Sequence, residues 1–93
     1  MPITSVRRKK RFQKEYDDLT PDMKQEVDDA LRDLLSNPIP ARRRFHSLEG
    51  YRNPRLFTID VTGNKSHKVS LEIDGTVATL RRIATHKEID RAP

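Results

Sequence analysis

Cysteine is absent from this chain, which excludes disulfides and thiolate metal centres. Tryptophan is absent too, and aromatic residues make up only 5% of 93 positions, so few large side chains are available to fill a core. No apolar run approaches the roughly 18 residues that a membrane-spanning helix needs. The basic start "MPITSVRRKKRF" has no apolar segment behind it and does not read as a signal peptide. These absences fit a reducing compartment, expected to be the cytoplasm, and no membrane partner. No internal repeat or low-complexity linker divides the sequence, and residues 1–93 read as a single domain with a small core.

What is present in quantity is charge. Charged residues reach 35% against 33% hydrophobic, with a net charge of +5. The signs are segregated. Residues 7–14, "RRKKRFQK", hold six basic groups and no acid, whereas residues 15–36 hold eight acids against Lys24 and Arg32. Residues 37–93 are basic again, with eleven cationic side chains against six acids. A solvated surface usually mixes its signs, so this separation points to one face built for an anion, most often nucleic acid.

Periodicity divides the chain into a helical half and an extended half. Phe12, Tyr16 and Leu19 recur at i, i+4 and i+7, the spacing of a short helix. "LTPDMKQEVDDALRDLLSNP" predicts a longer one with Thr20 as N-cap, Pro21 at the first helical position and a stop at Asn37-Pro38. After Pro40 the period becomes two. "RRRFHSL", "RLFTIDVT", "HKVSLEI" and "TVATLRRIA" read as strands, Asp74-Gly75 marks a tight turn, and "TGNKS" marks another. "ITSV" is long enough for a short edge strand. The expected fold is α+β: an N-terminal helix hairpin packed on one face of a twisted antiparallel sheet of about four strands, the other face open.

Alternation places Asp60 and Lys68 on that open face, opposite the core positions of their strands, while His67 shares the inward parity of Val69. Arg55 begins a strand, and His46 follows a run of three arginines ending at Arg44. The segment "LRRIATHKEID" carries Arg81 and Arg82 and then breaks at Thr85-His86 into a charged tail. An imidazole beside two guanidiniums is what phosphodiester chemistry needs: a proton donor or acceptor at neutral pH next to an anion clamp. None of the three histidines has the i, i+4 spacing of a local metal motif, so no metal and no other cofactor is expected.

The order and spacing of "RRFHSLEG", "RLFTIDV" and "HKVSLEIDGTVATLRRIATHKEID" resemble the RelE/ParE superfamily of bacterial toxins from about Val6 to Asp90. His46-Ser47-Leu48-Glu49-Gly50 matches a histidine that precedes an L-x-G stretch in the family, and Lys68 stands where the family has an arginine. The ending "THKEID" looks like that of the ribonuclease branch, whose histidine is catalytic; the gyrase-poisoning branch usually lacks it. The resemblance therefore implies a RelE-like mRNA interferase, a metal-independent endoribonuclease that cuts mRNA on the ribosome and is blocked by a cognate antitoxin. It implies catalytic roles for His86, Lys68, Asp60 and His46. Arg81, Arg82, Arg55, His67, Lys9, Lys10, Arg11 and Arg44 would hold the RNA. The alternatives are a ParE-like gyrase inhibitor without nuclease activity and a non-catalytic RNA-binding module.

Overall fold

A computed structural model describes residues 2–52, 54–63 and 66–93. Its elements run β1 (Ser5–Arg8), α1 (Lys10–Asp17), α2 (Pro21–Leu34), β2 (His46–Arg52), β3 (Arg55–Asp60), β4 (His67–Asp74), β5 (Val77–Thr85) and α3 (His86–Arg91). The α+β class is as expected, but the sheet has five strands, in the order β1-β5-β4-β3-β2. It is also mixed: β2 to β5 form an antiparallel meander, whereas β1 pairs parallel to β5, with Ser5 opposite Val77. The "ITSV" region does supply an edge strand, shifted towards the arginines that follow it.

The long helix begins where its cap predicts. Thr20 is extended, its hydroxyl accepts from the Met23 N–H at 3.3 Å, and Pro21 takes the first turn. Val27, Ala30, Leu31 and Leu34 recur at helical spacing and are buried. They share one apolar cluster with Phe12, Ile59, Val69, Leu71, Leu80 and Ile83. The Tyr16 hydroxyl donates to Asp28 at 2.8 Å and ties α1 to α2.

The arginine run is not a strand. Ala41–Arg43 form a 3-10 turn, and Arg44 leaves it in the left-handed region at φ 50 before β2 begins at His46. The cause is Arg43, which is buried and donates to Asp33 at 2.8 Å and to the Val61 carbonyl at 2.9 Å. Pinning that guanidinium between helix and sheet costs the segment its extended form. The Asp74-Gly75 turn is present, with Asp74 and Val77 paired and Gly75 at φ 63, the sign that a two-residue hairpin needs. Of the "TGNKS" turn, Asn64 and Lys65 lie outside the described residues.

The largest departure is at the end of the sequence. The tail after Thr85 is a helix, closed by a capping box in which Thr85 accepts from Glu88 N–H and Glu88 accepts from Thr85 N–H. α3 packs against β4 and β5 and buries Ile89 completely. The second sheet face is thus covered in part, not open.

Candidate functional site

Strand register sorts the polar side chains of this second face into two rows. Directly paired residues point the same way, so His46, Thr58, Ser70 and Arg82 form one row across β2, β3, β4 and β5. Asp60, Lys68 and Ala84 form the next. Neighbouring strands lie ~4.8 Å apart, which puts His46 and Arg82 ~14 Å apart at their backbones. Asp60 and Lys68 face each other across a single strand spacing, and both are buried, at 4% and 7% exposure.

α3 brings His86 to this second row. The His86 N–H donates to the Ser66 carbonyl at 3.0 Å, fixing the first residue of the helix against the segment that leads into β4. Its Nε2 lies 3.0 Å from one oxygen of Asp90, one helical turn on. The other Asp90 oxygen lies 3.9 Å from Lys68 Nζ. The His86 and Lys68 side chains therefore meet at one carboxylate, which reading the sequence did not single out. The signal that could have found it is Thr85-His86-Lys87-Glu88, a capping-box pattern that predicts a helix and hence an i, i+4 pairing of His86 with Asp90.

On the far side of the face, His46 is exposed. Its Nδ1 is 2.6 Å from the Arg44 carbonyl oxygen, which can only accept, so that nitrogen carries the proton. Its Nε2 is left as the acceptor, 3.5 Å from the Thr58 hydroxyl. Arg44 is exposed, with Nε 3.8 Å from the Asp60 carboxylate. Asp60 thus pairs with Arg44 and lies across the strand pair from Lys68.

The remaining cations divide into bound and free. Arg82 is 6% exposed, gripped by Glu15 at 2.7 Å and by the Ala92 carbonyl at 2.8 Å. The hydrogen bond it donates to Glu15 raises its pKa further, against a smaller opposing effect of burial. Lys9 and Arg81 both bind Glu72, Lys9 at 3.0 Å. Burial pushes the Glu72 carboxyl up, but these two partners outweigh it and hold it below the usual range. Arg55 is exposed over the Phe57 ring at 5.7 Å, and Lys10 and Arg11 are exposed on α1 without an ion pair among the described residues. His67 precedes Lys68 at the start of β4, its Nδ1 2.8 Å from the Ser66 hydroxyl. Among the described residues no three histidines or carboxylates gather as a metal-binding group, and no helix is long and apolar enough to cross a membrane.

This two-sided sheet, with a short C-terminal helix folded onto it, defines a known class: the fold of RelE/YafQ-type toxins. A chain of the RelB–RelE antitoxin–toxin complex from Methanococcus jannaschii superposes with a TM-score of 0.70 at 18% identity, over 95% of this chain and 99% of that one. A chain of the Escherichia coli DinJ–YafQ toxin–antitoxin complex gives 0.72 at 14% identity, over 90% and 93%. A conserved hypothetical protein from Helicobacter pylori gives 0.67 at 21% identity, over 94% and 99%. No protein-family model matches the sequence, and no curated protein matches it.

Proposed function

We propose that the protein is the toxin of a toxin–antitoxin pair and acts as a metal-independent endoribonuclease on mRNA at the ribosome. The observation that carries this reading is the meeting of His86 and Lys68 at Asp90, beside the polar row that ends in His46. RNA supplies its own nucleophile. The His46 Nε2 takes the proton of the 2′-hydroxyl, and the 2′-oxygen bonds to phosphorus. The P–O5′ bond then breaks, and the leaving oxygen takes a proton from His86. The products are a 2′,3′-cyclic phosphate and a 5′-hydroxyl end, and no water is consumed. Lys68 offsets the charge that builds on the phosphoryl oxygens. Asp60, which pairs with Arg44 and lies across the strand pair from Lys68, is the alternative base. Lys10, Arg11, Arg44 and Arg55 supply the salt-sensitive backbone affinity that a long RNA requires. Lys9, Arg81, Arg82 and His67 are already engaged within the protein and shape this surface more than they extend it.

The fold shared with chains of two toxin–antitoxin complexes supports a cognate antitoxin as the natural partner. Production of the chain alone should arrest growth with loss of translation, and co-production of the antitoxin should relieve it. Mapping mRNA 5′ ends after induction tests the chemistry, with new ends expected inside coding regions for the wild type and none for His86→Ala. Unimpaired growth with abundant folded protein would overturn the toxin reading. Arrest by His86→Ala as strong as by the wild type would favour gyrase inhibition instead.

A further inference from the structure

An imidazole can pass a proton through either ring nitrogen, and the surroundings of His86 decide which. Its Nε2 is 3.0 Å from the Asp90 carboxylate, which can only accept a hydrogen bond. Its Nδ1 has no hydrogen-bond partner among the described residues. Resting on the nuclease reading above, we infer that Asp90 is a positioning residue that holds the Nε2–H of His86 and turns Nδ1 towards the substrate as the nitrogen that delivers the proton.

A carboxylate four residues from a histidine on a helix surface is often a solvated pair with little consequence. Two observations set this one apart. Asp90 is held from a second element, since its other oxygen lies 3.9 Å from Lys68 Nζ on β4, and Lys68 is itself nearly buried. The helix carrying the pair is also anchored along its whole length. The capping box fixes its start, Ile89 plugs its middle into the protein, and Arg82 grips the Ala92 carbonyl beyond its end at 2.8 Å. The carboxylate therefore has a defined place, and the ring that leans on it has a defined orientation.

The proton balance follows from that orientation. In the protonated ring both nitrogens carry hydrogen, with Nε2–H retained by Asp90. As the P–O5′ bond breaks, its electron pair stays with the 5′-oxygen, which takes the proton from Nδ1. The ring is left as the neutral Nε2–H tautomer, the form that Asp90 already favours. The opposite tautomer, with hydrogen on Nδ1, is held at His46 by the Arg44 carbonyl. The two histidines thus present different nitrogens to one face, Nε2 from His46 and Nδ1 from His86.

Nitrogen-15 NMR of the histidine rings in the full chain, at a pH where the rings are neutral, reads this directly. His86 should show hydrogen on Nε2 and a bare Nδ1, and Asp90→Ala should shift it to the mixture of an unconstrained imidazole. A bare Nε2 in the wild type, or no change in Asp90→Ala, overturns the inference. Cleavage of a short RNA gives the second readout. Asp90→Ala should lower kcat by about 10²-fold with KM nearly unchanged, and Asp90→Glu should restore most of the loss. Because Asp90 acts through His86, His86→Ala/Asp90→Ala should be no slower than His86→Ala alone. A further loss in the double variant, or wild-type kcat in Asp90→Ala, would also sink it. If the wild type cleaves no RNA, the nuclease reading fails, while the NMR result still decides where the proton sits.

Discussion

Replacing His86 by alanine removes a half-exposed ring whose one ion pair, to Asp90, is itself half in solvent. The stability change should stay near 0.5 kcal/mol, whereas loss of a general acid costs roughly 10² to 10⁴ in rate. Comparing thermal unfolding with RNA cleavage separates these two effects in one variant. Arg82 should behave in the opposite way. It is buried against Glu15 and the Ala92 carbonyl, so Arg82→Ala leaves a half-buried carboxylate unmatched and frees the end of α3. Urea unfolding should show a loss of up to roughly 3 kcal/mol, together with reduced cleavage. At this scale the sequence was informative about which polar residues share a sheet face, as the register of Asp60 with Lys68 shows, and less so about how their side chains pair. His86, Lys68 and Asp60 stand out by type and parity. The contacts from Asp90 to two of them, His86 and Lys68, depend on a helix that the charged tail conceals.

Elements were most legible where a local signal sets their boundary. Thr20 and Pro21 start α2 because a hydroxyl acceptor and a fixed φ are needed there, and both can be read without knowing the fold. Thr20→Ala should cost about 1 kcal/mol and lower Tm by roughly 4–8 °C in a calorimetric scan. Thr85→Ala removes half of the capping box on α3 and should fray that helix. Faster amide exchange at His86 and Glu88 would report it, with exchange in α2 unaltered. Illegible elements are those decided from a distance. "RRRFHSL" reads as a strand and is one from His46, but burial of Arg43 against Asp33 and the Val61 carbonyl winds its arginines into a turn. The partner of β1 could not be read locally either. An edge strand of four residues looks the same whether its neighbour runs parallel or antiparallel.

For the molecule as a whole, segregated charge becomes a set of partly buried bridges that respond to acid. Hydrogen bonds from Arg42 and Arg43 hold the Asp33 carboxyl below its ordinary value, outweighing burial, and Glu72 is likewise held down by Lys9 and Arg81. Both carboxylates have lower pKa values folded than unfolded. Their contribution is complete above the ordinary carboxylate range near pH 4.5 and is lost as pH falls through the folded values. Unfolding midpoints in urea should therefore be flat from neutral pH to about 5 and fall below about 4.5. Asp33→Asn should weaken that acid dependence. The parallel β1–β5 pairing has a kinetic consequence as well. Thr4 and Thr76, bonded beside it, are 72 positions apart, so the meander from β2 to β5 can assemble first and must then wait for a long loop to close. α1 follows directly from β1, so the burial of Phe12 waits on the same step. Docking of this N-terminal segment should be the slow, late event of folding, on the millisecond-to-second scale of chains dominated by non-local contacts.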